Sequence, residues 1–425
     1  MTFSILNLFV LVSSASLSMM NVQSELVMDS LTSAYIKAKM EVQLSSSFVF
    51  KNGVIFKLGN SPQYPLIKWE NKIAGDWSEL YIAYRKKDFS VLLGRWHNKW
   101  GYSDRYSLVL NDTLPARNGF WIRTKIDRLS FEYFVSSESS FKVDKAIVPR
   151  NLTDTLKPGE IIQRTLIGHR LEWSTSKIGM YFAEIAYCPS GGYLPNPKYL
   201  NPFFLYFLLQ FNDAQLNSGI GVDANIIWDL GAFVKFKNVR TYGELLIDDF
   251  QYEEVPTKEP PQIGFLVGID YKNSNFAITA EYTRIWAWTY LHENPWERYE
   301  TLGYPLGHPY GPDFDELFFR IKKNFGKQFL TLNWEISYRR KGEPNMETEW
   351  PVAPQGDWNE FPPGSDFLWG TIERVLINKV KVTFKINAFK INCGLGLEKY
   401  WNWRHEDKVK KNLPVFYLGL EYISS

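Results

Sequence analysis

The sequence predicts an all-β fold, a closed antiparallel transmembrane β-barrel of about 16–18 strands, 18 favoured, with long outer loops. Three observations carry that expectation. The chain is built of runs with period two. In residues 263–271, Phe265, Val267 and Ile269 fall on one side, while Gly264, Gly268 and Asp270 fall on the other, with Leu266 the apolar exception. A strand with one apolar and one small or polar face lies between two different environments, and lipid outside with water inside satisfies this over many strands. Aromatic residues make up 16% of the chain, with 16 Trp, 24 Tyr and 30 Phe, as aromatic girdles at two lipid interfaces require. Short turns alternate with long loops rich in Pro, Gly, Trp and acids, which fits short periplasmic turns and longer outer loops.

In chain order, residues 1–24 read as a signal peptide. Residues 3–12 supply an apolar stretch, and both Ser14-Ala15-Ser16 and Val22-Gln23-Ser24 offer small residues for cleavage, although no Lys or Arg precedes Lys37. Residues 25–75 form an N-terminal segment, a first strand over 33–50 or a periplasmic part, and 76–425 form the barrel. Residues 77–86 and 89–97 flank Lys87-Asp88, the pattern of a tight hairpin. Runs at 119–127 and 129–136 precede a long loop over 141–160. Further runs occupy 164–173, 177–188, 219–228, 242–250, 263–271 and 276–288. The later runs are 329–340, 368–378, 380–387, 394–403 and 415–423. The segment 201–210 breaks the pattern because it is apolar all round. Asn201 and Pro202 suit a helix start, and either a short helix at the rim or a covered strand fits. In the last run, Phe416, Leu418 and Leu420 are expected to face lipid, and Gly419 and Glu421 the lumen.

Composition narrows the chemistry. A net charge of +2 gives no field for nucleic acid, and past the leader no stretch reaches the roughly 18 apolar residues of a spanning helix. Cys188 and Cys393 can pair or stay separate, and two thiols make no disulfide framework. No nucleophile elbow, zinc-protease motif, phosphate loop or dinucleotide fingerprint occurs, and no two of the five histidines have metal-ligand spacing. Asp313, Asp315 and Glu316 offer oxygen ligands for calcium but lack the spacing of a calcium loop. Glu244 and Asp248 share one strand face about 13 Å apart, too far for a glycosidase pair. The reading is therefore non-enzymatic, without metal or cofactor.

Several motifs carry a resemblance in a fixed order between about residues 90 and 320. They are Gly94-Arg95-Trp96 with Trp100-Gly101 and Tyr106-Ser107-Leu108, then Gly168-His169-Arg170-Leu171-Glu172-Trp173. Tyr199-Leu200-Asn201-Pro202 and Tyr242-Gly243-Glu244-Leu245 with Asp248-Asp249-Phe250 follow. Glu281-Tyr282-Thr283-Arg284 with Trp288-Thr289-Tyr290 and Leu306-Gly307-His308-Pro309 with Gly311-Pro312-Asp313 complete the set. This combination resembles the capsule assembly Wzi family. The resemblance implies an outer-membrane barrel of 18 strands, largely closed by its outer loops, that helps hold capsular or related surface polysaccharide. Tyr417-x-Gly419-x-x-Tyr422 resembles the terminal signal read by the barrel-insertion machinery, with Ser424 and Ser425 in place of the usual terminal aromatic.

Two groups of site residues are expected. Charges facing hydrocarbon are costly, so Arg170, Glu172, Asp223, Glu244, Asp248, Glu281, Arg320 and Glu335 should face inward and pair across a plugged lumen. Glu132, Arg123, Arg339 and Glu373 belong to the same set. Sugar rings pack on aromatic faces while their hydroxyls take polar partners. That points to the loop carrying Trp286, Trp288, Tyr290 and Trp296, with His308 nearby and Trp358, Asp357 and Asp366 on the neighbouring loop. The same aromatics also suit an interfacial girdle or loop packing. The expected partners are surface polysaccharide, outer-membrane lipid and the barrel-insertion machinery. A porin for small solutes is the alternative function, and an outer-membrane hydrolase a lesser one.

Overall fold

The computed structural model describes residues 20–423 apart from 31–32, 60–67, 71–72, 145–155, 191–196, 210–223, 250–259, 327–328, 352–360 and 362–363. The described chain is all-β and antiparallel. Its strands of eight residues or more are β1 (Met20–Ser30), β2 (Ser33–Gln43), β3 (Phe48–Gly59), β4 (Ile73–Lys86), β5 (Phe89–Trp96) and β6 (Arg117–Ile126). Then come β7 (Leu129–Ser137), β8 (Ile161–Ser174), β9 (Ile178–Ser190), β10 (Asn225–Phe236), β11 (Val239–Asp249) and β12 (Gln262–Lys272). The last are β13 (Phe276–Ile285), β14 (Phe314–Phe325), β15 (Leu330–Lys341), β16 (Glu373–Ile386), β17 (Phe389–Trp401) and β18 (Lys410–Ile423). Each pairs with the next in the chain, and β1 also pairs with β18 over Gln23↔Ile423 to Met28↔Leu418.

The connections fall into two sets. At one end lie tight turns, including 87–88, 127–128, 237–238 and 387–388, together with the start of β1 and the end of β18. Lys87, Asp127, Lys237 and Asn387 open those turns with positive φ, the geometry that matches two-residue hairpins to strand twist. At the other end lie the long connections 97–116, 138–160, 191–224, 286–313 and 342–372.

The alternation along each strand sorts side chains between two environments. On β11, Glu244 and Leu246 are buried while Leu245 between them is 41% exposed. Leu93 is 62% and Leu395 69% exposed on the same outer surface, and Leu230, Val267, Leu317, Val380, Phe416, Leu418 and Leu420 are exposed with them. Each such side chain left in water would forgo roughly 1.5–3 kcal/mol of burial, so the band as a whole needs an apolar solvent. Phe89, Phe236, Phe325, Phe329 and Phe389 flank the tight turns and are exposed, which places an aromatic belt beside that end. Glu421 faces the other way and takes Lys390 Nζ at 3.1 Å.

Several boundaries differ from expectation. Residues 33–50 are not one strand, because the chain turns at 44–47 and the Ser45 hydroxyl accepts from the Phe48 N–H at 3.1 Å. β2 and β3 thus belong to the same sheet as the rest rather than to a separate segment. β1 overlaps the expected leader over residues 20–24, and 1–19 lie outside the described residues. Residues 368–378 and 380–387 were expected as two strands, but β16 runs unbroken from Glu373 to Ile386. No turn-forming pair interrupts its alternation until Asn387-Ala388. β18 begins five residues earlier than residue 415, at Lys410. The apolar segment after Asn201 is no strand: residues 206–209 form one helical turn. The two cysteines are both free, Cys188 buried on β9 and Cys393 on β17.

Candidate functional site

One loop fills the interior. Residues 97–116, between β5 and β6, are held by inward carboxylates on five strands from β7 to β14, so the loop crosses the ring rather than lying on its rim. Trp100 Nε1 donates to Glu132 at 3.0 Å, and the Tyr102 hydroxyl to Glu172 at 3.0 Å. Ser103 Oγ donates to Glu281 at 2.6 Å, and Arg105 to Glu316 at 2.5 Å. Glu244 accepts from both Ser107 Oγ and the Leu108 N–H, each at 2.7 Å. A buried carboxylate without partners would be strongly unfavourable, so these contacts fix the loop and give each of the five wall carboxylates at least one donor. Trp100, Leu108, Val109 and Leu110 are completely buried.

Two glycines make the close approach possible. Gly101 has φ 126°, and a Cβ there would lie 2.8 Å from Glu244 Oε2. At Gly168 on β8, a Cβ would lie 2.9 Å from the edge of the Trp100 ring.

A second layer covers the inserted loop. The Tyr290 hydroxyl donates to the Leu108 carbonyl, the Tyr299 hydroxyl to the Val109 carbonyl at 2.8 Å, and the Asn111 N–H to the Leu306 carbonyl at 3.1 Å. Burial raises the pKa of both phenols well above the usual value, so they stay neutral donors. Trp288 packs against Trp350, Phe361 and Trp369, with ring centroids 5.0–5.8 Å apart, which ties 286–313 to 342–372. Asp313 accepts from the Leu368 and Trp369 N–H groups at 2.5 and 2.9 Å.

These contacts revise the expected aromatic sugar platform. Trp288, Tyr290, Trp296 and His308 are buried, so they pack the covering layer instead of presenting rings to solvent; Trp286 alone of the five is half-buried. Trp286 stacks under Arg284, whose guanidinium lies 4.2 Å from its ring and 3.7 Å from that of Phe367. Trp358 and Asp357 lie outside the described residues. His308 sits against Tyr106, Tyr310 and Phe314, and burial first, then Arg105 and Arg339, hold its pKa well below 6.5.

The residues expected in a charged network have partners of several kinds. Arg170 pairs with Glu172 at 3.0 Å and Arg320 with Glu335 at 2.8 Å, wall to wall. Glu244 and Glu281 are met by loop hydroxyls and a backbone N–H, and Glu281 also by the Tyr242 hydroxyl at 2.9 Å. Asp248 accepts from the Tyr290 N–H at 2.5 Å. Asp223 lies outside the described residues. The candidate calcium ligands are engaged as well, Asp315 with Arg340 at 2.5 Å and Glu316 with Arg105.

Sequence reasoning missed the inserted loop itself. Its signal was a short stretch without period-two pattern in which Trp100, Tyr102, Tyr106 and Arg105 alternate with Ser103 and Ser107. It also missed a polar pair on the outer wall. His169 and Glu184 face outward on β8 and β9, 3.3 Å apart, and Glu184 further accepts from Trp228 Nε1 at 2.8 Å.

No protein-family model and no curated protein sequence matches this chain. Among solved structures it is similar to Wzi of Escherichia coli, an outer-membrane protein involved in group 1 capsule assembly and a carbohydrate-binding β-barrel. That similarity has a TM-score of 0.63 at 12% identity, over 96% of this chain and 84% of Wzi. It is also similar to OccAB4 of Acinetobacter baumannii (TM-score 0.50, 9% identity, 95% of this chain and 97% of the other). OccD3 of Pseudomonas aeruginosa stands at TM-score 0.50 and 10% identity, over 95% of this chain and 90% of the other. At these identities the similarity establishes the fold alone: an all-β architecture of the outer-membrane barrel kind.

Proposed function

We propose that the chain is a closed 18-stranded outer-membrane barrel that helps attach or assemble capsular or related surface polysaccharide, without chemical turnover. The observation that carries this reading is the filled lumen: one loop bonded to carboxylates on five strands, with a second layer bonded to that loop. A solute channel needs a continuous water path, and a loop anchored across the interior argues against one. The contact surface for glycan is then the outer loop layer. There Trp286, Arg284 and Phe367 offer a stacked edge, while Trp288, Tyr290, Trp296 and His308 are buried in the packing of the same layer. Every carboxylate singled out for chemistry, Glu244, Asp248, Asp315 and Glu316 among them, has a structural partner, which supports a non-enzymatic role.

Two measurements test the reading. Deleting the gene and imaging the cell surface should show loss of attached polysaccharide. The purified protein in planar bilayers should show no steady conductance. A steady open pore with unchanged surface polysaccharide would instead establish the porin alternative.

A further inference from the structure

Below the inserted loop the lumen changes character. Two adjoining cavities of about 560 and 450 Å³ share Lys272, Ala277, Arg320 and Lys322. Strand parity places them inside the ring. Arg320 and Lys322 lie at even spacing from Glu316, and Thr279 and Ala277 from Glu281, and both carboxylates bind the inserted loop. At about 3.3 Å per residue, Lys322 lies about 20 Å along β14 from Glu316, toward the tight turns. Asp104, on the underside of the inserted loop, approaches Arg240 at 3.7 Å and marks the roof. The space lies between the inserted loop and the tight turns.

Its lining is strongly basic. Nine cationic side chains stand against three carboxylates, Asp104, Asp270 and Glu335. Those carboxylates are engaged by Arg240 and Arg320, and Lys390 pairs with Glu421. Lys235, Lys237, Lys272, Lys322 and Lys385 leave the lining with a net positive charge. Interleaved with them are neutral hydrogen-bonding groups, Asn324, Thr331, Asn333 and Thr383. A wall confined by low-dielectric surroundings and lined by one sign of charge concentrates counter-ions. Alternating cations with amides and hydroxyls match a chain that alternates carboxylates with hydroxyls.

We infer that this vestibule is a second glycan site, which takes a carboxylate-bearing oligosaccharide from the turn end, separately from any contact at the outer loops. It rests on the polysaccharide reading for its ligand class, but binding in solution can be measured without that reading.

The test uses the full-length protein in detergent and titrates oligogalacturonate, maltohexaose and inorganic phosphate. Oligogalacturonate should bind and weaken as salt rises, while maltohexaose should not bind and phosphate at equal concentration should not displace the uronate. Combined Lys272→Ala, Lys322→Ala and Lys385→Ala should weaken uronate binding by about tenfold or more, while Lys408→Ala, in the connection between β17 and β18 and 90% exposed, should leave it intact. Unchanged heat-modifiable gel mobility certifies that each variant is folded. Undiminished binding in the folded triple variant overturns the site, and equal displacement by phosphate overturns the sugar assignment. Loss of surface polysaccharide without uronate binding would overturn this site and leave the proposed function standing.

Discussion

Two connections leave the long-loop end and fold back along the sheet, one inside and one outside. The inner, 97–116, is polar and spreads its anchors over Glu132, Glu172, Glu244, Glu281 and Glu316. The outer, around 197–209, relies on one carboxylate. Glu184 accepts the Tyr206 N–H at 2.6 Å and the Phe207 N–H at 3.0 Å, and so satisfies the donors at the start of a single helical turn. Tyr199 and Tyr206 bury against Ile167, Ala186 and Cys188 on the outer wall, and Phe203, 83% exposed, stacks on Phe131. Phe204, Leu205, Phe207 and Leu208 are exposed as well. The difference follows the solvent. Inside, carboxylates face water unless a loop replaces that water, so many moderate contacts suffice. Outside, one polar pair on an apolar wall must be covered, and the cover must itself be apolar on its far side.

The largest effect should come from removing the inner connection. Replacing residues 101–109 by a short Gly-Ser linker should turn a silent protein into a conducting one in planar bilayers. A silent variant that still shows folded gel mobility would mean that the covering layer alone seals the lumen.

The outer connection should respond to one residue. Glu184→Ala leaves two backbone N–H groups and the Trp228 indole without their acceptor next to lipid, and should cost about 2–4 kcal/mol in urea unfolding from vesicles. Protease cleavage within 203–208 should rise with it. An unfolding midpoint equal to that of the parent would show that the apolar contacts hold the segment without Glu184.

Inside, the matching change should be milder because the anchors are shared. Glu244→Gln keeps the shape and the single oxygen that accepts both bonds, and should cost no more than about 1–2 kcal/mol, with brief conductance flickers rather than a steady pore. A steady pore would mean that the other four carboxylates do not act independently of Glu244.

The comparison also explains what could be read in advance. The strands were legible because each lies between two solvents; Glu244, Leu245 and Leu246 announce inside, outside and inside by type alone. The inward direction of Arg170, Glu172, Glu281, Arg320 and Glu335 followed from the same alternation. Their partners did not follow, because contacts such as Ser103 to Glu281 join residues 178 apart in sequence and leave no periodic trace. The aromatic loop admitted two readings, a sugar platform or loop packing, because composition cannot tell a ring offered to a sugar from one packed on another loop. Trp288 has three aromatic neighbours from 342–372, and only tertiary structure supplies them.

The smallest effect concerns pH, and it acts on the inner connection through His308. This ring is buried between Tyr106 of the inserted loop and Tyr310 and Phe314, and its folded pKa lies well below 6.5. The sign follows. Above about 6.5 the ring is neutral with the loops closed or open, and no stability depends on pH through it. Below that value the opened state takes up a proton that the closed state refuses, so closure weakens progressively as pH falls. Conductance events should therefore become more frequent between about pH 6.5 and 5. His308→Gln removes the titrating group and should flatten the conductance profile without changing its value at neutral pH. An acid response that persists unchanged in His308→Gln would assign it to another group, with the carboxylates that hold 97–116 as the next to substitute.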